Sequence, residues 1–163
     1  CIRLLALYQP AAVDLRTICT IIKSNNDLER IADLGANMGR QVEHLVSAGL
    51  TFEESEDFNY LAQKTLNVLN QTIRLLSTRD TSAAKTVIES DKMIDEGYAR
   101  MVQGLVDGER NADGIAAFIT AINVAKALER IGDHCTNIAE DIIFLRTGDI
   151  VRHSLHEHDR GKK

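Results

Sequence analysis

The sequence predicts an all-α protein. Of its 163 residues only 1 is Pro and none is Trp, whereas 44% are apolar and 4% aromatic. Such a composition favours long helices, and the length suffices for one domain with a substantial core. A third observation is an internal repeat, because the segment that begins at Leu28 returns in similar form at Leu128. We therefore expect helical bundles that are related by duplication.

Five helical segments follow from the helix stops along the chain. Residues 1–8 are predicted to be the end of a helix that Gln9-Pro10 terminates, since the residue before Pro is pushed out of the α region. A long helix is expected from Ala11 to Ser47, with Gly49 as its stop. Three further helices are expected over Glu56–Thr78, Ser82–Val106 and Gly114–Arg146.

Two of these helices have apolar sets that predict which face is buried. Thr51 or Ser55 is the expected N-cap of the helix that begins at Glu56. Its apolar set is expected to be Leu61, Leu66, Leu69, Ile73 and Leu76. The following helix has core positions at Ala84, Val87, Ile88, Asp91, Ile94, Tyr98, Met101 and Leu105.

The loop lengths predict how the helices are grouped. Short turns join the last three helices, so residues 57–147 are expected to form a complete antiparallel three-helix bundle. Residues 49–56 are the expected linker, and residues 148–163 form a polar C-terminal tail. Residues 1–48 are then the expected remnant of a first, equivalent bundle. Their uncovered apolar face predicts burial against another copy of the chain, most simply in a homodimer.

The repeated segment carries paired acids. Glu29 and Asp33 return as Glu129 and Asp133, and residues four apart share one face of a helix. Both pairs lie beside an apolar seam of alternating three- and four-residue spacing. The seam residues are Leu28, Ile31, Gly35, Met38, Val42 and Leu45 in the first copy, and Leu128, Ile131, Cys135, Ile138, Ile142 and Leu145 in the second.

Asp91 and Asp95 form another pair of acids, on the helix before the second copy. Unpaired buried carboxylates are costly, so acids that meet on adjacent helices require cations. Oxygen ligands suit magnesium, manganese, calcium or iron and disfavour a closed zinc site. The alternative is a solvated acidic face whose charge is balanced by arginines, with Arg16, Arg30 and Arg130 as candidates. His134 is not an expected ligand, because its counterpart is Leu34.

Composition also excludes several classes of function. A formal net charge of -5 argues against nucleic acid as a partner, since phosphate contacts need a basic face. The three cysteines are far apart, which is typical of buried free thiols in the cytoplasm. No apolar run has the roughly 20 residues needed to span a bilayer. No nucleophilic triad or glycine-rich phosphate loop is present.

Two other interpretations of the acids remain. One is a carboxylate-bridged di-metal enzyme, but such bundles use Glu-x-x-His pairs, and the sequence contains none. The other is a plain helical scaffold whose acids are only solvated.

Two long segments resemble the signatures of the PhoU family of phosphate-uptake regulators. The first signature spans Gln9–Arg16 and Ser24–Asp33, and the second spans Ala127–Glu140. The closing segment Thr147–His153 is also similar to the C-terminal end of that family.

The resemblance implies tandem three-helix bundles with a pseudo-twofold repeat, of which the first is incomplete in this chain. It also implies multinuclear metal sites, with magnesium, manganese, iron or zinc as candidate ions. Glu29 and Asp33 would belong to the first site, which should lack the counterpart of Asp91 and Asp95. The second site would comprise Asp91, Asp95, Glu129 and Asp133.

The same resemblance implies a function and partners. It implies a negative regulator of phosphate uptake that couples the ATPase subunit of a phosphate ABC transporter to a sensor histidine kinase. The expected location is the cytoplasm, with peripheral association at the inner membrane through these partners.

Overall fold

A computed structural model describes residues 1–50, 55–107 and 112–151 of the chain. These residues form five helices and no strand, which confirms the all-α fold class. The helices agree with the predicted segments to within two residues at each end: α1 Ile2–Tyr8, α2 Ala12–Ser47, α3 Glu56–Thr78, α4 Thr81–Asp107 and α5 Ala112–Thr147.

Local sequence accounts for several of the helix ends. Gln9, before the only Pro, adopts a left-handed conformation that separates α1 from α2. Ser55 caps α3, because its hydroxyl accepts a hydrogen bond of 3.1 Å from the backbone N–H of Phe58. Thr51, the other candidate cap, lies outside the described residues.

Helices α3, α4 and α5 pack against one another, and α2 lies along α5. The centre of the bundle is filled by Leu61 and Leu75 of α3, Ile94 of α4, and Ile138 and Ile142 of α5, all fully buried. This arrangement places α5 between α2 on one side and the α3–α4 pair on the other. The domain boundaries inferred from the sequence stay a prediction.

The predicted apolar set of α3 is wrong at two positions. Leu66 and Ile73 are more than half exposed, whereas Val68 and Leu75 are buried. Thr65 and Thr72 complete the buried series in its three- and four-residue spacing. Their hydroxyls donate hydrogen bonds to the carbonyls of Leu128 and Val68, at 3.4 and 2.9 Å. Because these hydroxyls have partners, both threonines can be buried, although a prediction from apolar residues alone does not include them.

The seams of the repeat differ between the two copies. In α5 the seam is buried from Ile131 to Leu145, and Cys135 is completely enclosed. Of the seam residues in α2, only Ile31 and Leu45 are buried, and Val42 is 37% exposed. Of the three free cysteines, Cys19 is partly buried and Cys1 is exposed, so the prediction of buried thiols holds fully for Cys135 alone.

The α2–α5 pair is antiparallel with a constant register. Arg16 donates to the carbonyl of Leu145, Thr20 to that of Asp141, and Asp27 meets His134. In each pair the two residue numbers add to 161 (16 and 145, 20 and 141, 27 and 134). Equivalent residues of the repeat have numbers that differ by 100, as those of Arg30 and Arg130 do. A residue and its repeat equivalent therefore lie opposite each other across α2 and α5 only near Arg30 and Arg130. The pseudo-twofold axis of the repeat therefore passes between Arg30 and Arg130.

A salt bridge fixes this pair near one end. Lys23 Nζ lies 2.5 Å from Asp141 Oδ1, and the Asp141 side chain is only 4% exposed. The ammonium thus compensates a carboxylate that would otherwise be buried without a cation.

Helices α4 and α5 approach closely at Gly132. A Cβ atom at this position would lie 2.8 Å from Ile94 Cδ1 and 3.6 Å from Asp91 Oδ1. Ile94 is fully buried, and its Cγ2 atom would also lie within 3.3 Å of the added Cβ. The missing side chain at Gly132 therefore allows α4 to bring Asp91 against α5.

No helix among the described residues combines the length and the apolarity that a bilayer crossing requires.

Replacing Gly132 by Ala should destabilise the protein by about 1–2 kcal/mol, because the added methyl group overpacks the α4–α5 contact. Gly35→Ala is the matched control, since Gly35 also lies within a helix but has open space around it. That change should stabilise the protein by about 0.5–1 kcal/mol through helix propensity. Urea unfolding followed by circular dichroism measures both. Equal effects of the two substitutions would contradict the close contact.

Candidate metal centre

Two pairs of acids meet where α4 packs on α5. Asp91 of α4 is buried, at 9% exposure, and its carboxylate lies beside Gly132 of α5. Gly132 stands between Glu129 and Asp133 in the sequence. Asp95 follows one turn later on α4 and is exposed. The structure thus places the second predicted group of acids along one helix contact.

Glu129 has one compensated and one uncompensated oxygen. Its Oε1 accepts a hydrogen bond from Lys126 Nζ at 2.6 Å, and the side chain is 14% exposed. Its Oε2 is buried and accepts no hydrogen bond from any described residue. A buried carboxylate oxygen without a donor costs free energy, so this atom is suited to a cation.

Asp133 lies in a locally negative environment. Partial burial of its carboxyl group raises its pKa, and the nearby charges of Glu129 and Asp95 raise it further. Lys126 and His134 act in the opposite direction. Asp95, Glu129 and Asp133 are therefore close enough to repel one another, and we treat them as one acidic cluster. Asp95 and Asp133 are also exposed to solvent.

Lys126 is a member of the site that the sequence reasoning missed. Its ammonium lies 5.2 Å from the centroid of the Tyr98 ring as well as against Glu129. The hydrogen bond to Glu129 raises the pKa of Lys126, and Tyr98 and Asp133 also raise it, against a lowering by burial. The i,i+3 spacing of Lys126 and Glu129 was the available sequence signal.

The donor set fits a hard metal ion. Asp91, Asp95, Glu129 and Asp133 offer only oxygen atoms, which magnesium, manganese, calcium and iron accept. In the part of the chain that the structure describes, no three Asp, Glu, His or Cys side chains are grouped closely enough to hold an ion together. Simultaneous ligation therefore requires side-chain rotation, for which the exposed Asp95 and Asp133 have space.

The first predicted pair has different surroundings. Glu29 and Asp33 are both exposed on α2. No third acid, His or Cys of the described residues joins them in a metal-binding group. Asp33 instead lines a groove between α2 and α5, together with Arg30 and Arg130.

Two polar residues of the repeat hold α2 and α5 together. His134 Nδ1 lies 2.8 Å from Asp27 Oδ1, and the amide of Asn137 donates to the same oxygen at 3.4 Å. Asn137 therefore contributes to the contact between the two helices, whereas Asn37 is exposed in the groove. Asp27 was not among the candidate residues.

The three arginines proposed as counterions do not contact the acids of the described residues. Arg16 is directed to the backbone carbonyl of Leu145, at 3.3 Å. Arg30 and Arg130 form no salt bridge with the acids of the described ranges. Lys126 is instead the cation that contacts Glu129.

A family model described as the PhoU domain matches residues 1–42 and 58–142, which is more than half of the chain. The chain belongs to the PhoU family. This finding confirms the resemblance seen in the two signatures.

Curated PhoU relatives align with nearly the whole chain. The phosphate-specific transport system accessory protein PhoU homologues of Pseudomonas putida and Pseudomonas aeruginosa are each 34% identical over 154 residues, or 94% of the chain. The alignments cover 60% and 64% of these relatives, so the chain spans less than two thirds of their length.

Solved PhoU structures share the fold. The crystal structure of PhoU from Pseudomonas aeruginosa matches with a TM-score of 0.83 at 32% identity, covering 91% of this chain and 72% of that one. The phosphate transport system regulatory protein PhoU from Streptococcus pneumoniae matches with a TM-score of 0.81 at 27% identity, covering 93% and 70%. The arrangement of helices is therefore that of the PhoU family.

The raised pKa of Asp133 predicts a pH-dependent effect of Asp133→Asn in chelator-treated protein. An acid with a pKa higher in the folded than in the unfolded state weakens the fold once pH rises above its unfolded value, 3.8. Asn removes this cost, so the variant should be more stable than wild type at neutral pH, by up to about 1 kcal/mol after allowance for solvent screening.

The advantage should disappear below the unfolded pKa, where Asp133 is protonated in both states. Denaturant unfolding at several pH values measures it. Glu96→Gln, on the exposed side of α4, is the control and should show no comparable gain. A loss of stability in Asp133→Asn at neutral pH would contradict the repulsive cluster.

Proposed function

We propose that this chain is a metal-binding, non-catalytic regulator of phosphate uptake and phosphate-starvation signalling. It would act in the cytoplasm as an adaptor between the ATPase subunit of a phosphate ABC transporter and a sensor histidine kinase. Membership of the PhoU family supports the regulatory role, and its relatives are named as accessory proteins of a phosphate-specific transport system.

The observation that carries the metal proposal is the buried, donor-free Oε2 of Glu129. It lies on α5 beside Asp133, whose pKa is raised by partial burial and by Glu129 and Asp95. The ammonium of Lys126 contacts this cluster through the other oxygen of Glu129. A divalent or trivalent cation would neutralise more of this charge than a lysine does.

The four acids would contribute in different ways. Asp91 is buried at the α4–α5 contact and Glu129 is half-buried, whereas Asp95 and Asp133 are exposed. A bound ion would supply a positive charge that joins α4 to α5 and would offer further positions to an oxyanion or a partner carboxylate. Lys126 would have to leave Glu129 Oε1 for this oxygen to become a ligand.

A regulatory rather than catalytic role agrees with the residues present. The sequence has no Glu-x-x-His pair of the kind used by di-metal bundle enzymes. The net charge of -5 suits docking to basic surfaces of partner proteins, because complementary charge accelerates and orients association.

The proposal also includes self-association. Helices α1 and α2 expose several large apolar side chains: Ile2, Leu4, Leu7, Val13, Leu15, Ile21, Ile22, Val42 and Val46. An exposed apolar face of this extent is typical of an interface. A second copy of the chain is the occupant that we propose.

Metal analysis tests the central proposal. Protein purified without chelator or metal-affinity resin should contain metal, and Asp95→Asn with Asp133→Asn should lose most of it. Glu89→Gln with Glu96→Gln removes two exposed acids of α4 and is the matched control, which should retain the metal. Trace metal in all three proteins would refute the metal site and leave the plain scaffold.

Lys126→Met sharpens the same experiment. Loss of the competing ammonium should raise the affinity for manganese about tenfold, as measured by titration calorimetry. Binding to a recombinant transporter ATPase subunit, with and without chelator, then tests the adaptor role separately. A chain that holds metal but does not bind the ATPase subunit would refute the adaptor role alone.

Sedimentation equilibrium tests self-association. Wild type is expected to sediment as a dimer, and Val13→Glu with Ile21→Glu is expected to sediment as a monomer, because charge on an apolar interface prevents its burial. Leu66→Glu changes an equally exposed apolar residue on α3 and should leave the dimer intact. A monomeric wild type at high concentration would refute the proposed interface.

A further inference from the structure

A groove runs between α2 and α5 at the pseudo-twofold axis. Its volume is about 410 Å³, and a second hollow of about 340 Å³ continues it, since both are lined by Leu34, Asn37 and Arg130. We call it the α2–α5 groove, and its first part is lined by Arg30, Asp33, Leu34, Asn37, Arg40, Arg130 and His134.

The charge of this groove is opposite to that of the chain. Its first part is lined by three arginines and one aspartate, a surplus of two positive charges, whereas the whole chain has a formal net charge of -5. Arg30, Arg40 and Arg130 make no salt bridge with the described residues. Three arginines therefore line one groove without a salt-bridge partner among the described residues, and Asp33 is the acid that lines it with them.

The register explains why two of these arginines meet. Arg30 and Arg130 are equivalent positions of the repeat, and the antiparallel pairing of α2 with α5 brings equivalent positions opposite each other only here. Two guanidinium groups therefore face one space from opposite helices. Each can donate two parallel hydrogen bonds to a tetrahedral oxyanion.

The remaining polar groups define the rest of the groove. Arg40 is ten residues beyond Arg30, which is about 15 Å along α2. Its backbone therefore lies at the far end of the groove from the central pair, and its charge adds to the positive field there. His134 is already held by Asp27.

We propose that the α2–α5 groove binds a phosphate group, free or as a monoester, between Arg30 and Arg130. The first part of the groove, which holds Arg30 and Arg130, is lined by none of the four α4–α5 acids. Lys126, which contacts Glu129, lines only the second hollow. Arg40 assists by attraction over a longer range.

Titration calorimetry with inorganic phosphate tests the proposal, in chelator-treated protein and at constant ionic strength. Wild type should bind one phosphate per chain. Arg30→Gln with Arg130→Gln should weaken binding at least about tenfold, whereas Arg40→Gln should weaken it about twofold. Arg74→Gln, an exposed arginine of α3, is the control and should bind as wild type does.

Three further measurements make the result decisive. Shifts of the Arg30 and Arg130 Nε–H signals on addition of phosphate would locate the anion, and circular dichroism verifies that the variants fold. Glycerol 3-phosphate as the ligand distinguishes a monoester from the free ion, and binding of either supports the site. Absence of binding by both ligands, or equal binding by wild type and the Arg30/Arg130 variant, would overturn it. Failure here leaves the metal proposal intact, because the metal analysis does not involve these arginines.

Discussion

Helix α5 packs against three other helices, and the rest of the structure depends on this burial. Nearly every position from Ala121 to Leu145 that faces another helix is buried, including several alanines that allow close approach. Small residues permit this packing because they keep helix axes near one another without leaving cavities. Both candidate sites lie at edges of α5, so its placement fixes their geometry.

The two edges of α5 have opposite charge. Toward α4, the buried Asp91 and the half-buried Glu129 lie near Asp133, and Lys126 contacts Glu129. Toward α2, Arg30 and Arg130 face a groove of net positive charge. Glu129 and Arg130 are adjacent in sequence, and consecutive residues of a helix are about 100° apart around its axis. Glu129 therefore lies on the side of α4, whereas Arg130 lies on the side of α2. One duplicated segment thereby supplies an acidic face and a basic face.

The duplication has been retained unequally in this chain. The α5 copy lies in a full bundle, and its paired acids meet Asp91 and Asp95 of α4. The α2 copy is exposed over much of its seam, and its acids Glu29 and Asp33 face solvent and the groove. The same motif therefore has different surroundings in its two copies, and only in the second do the charges of Glu129 and of Asp95 on α4 raise the pKa of its aspartate, Asp133.

The sequence by itself determined the fold class, the helix ends, the registers of α4 and α5, and the burial of Asp91 and Cys135. These features depend on local signals, namely helix stops and apolar spacing, which act over one or two turns. The sequence misassigned α3, because Thr65 and Thr72 bury their methyl groups once their hydroxyls find carbonyl partners. The cation that contacts the acids could also not be predicted from local sequence patterns. Only the tertiary structure selected Lys126 over the arginines, and only the antiparallel register brought Arg30 to Arg130, since both depend on how separate helices are set against α5.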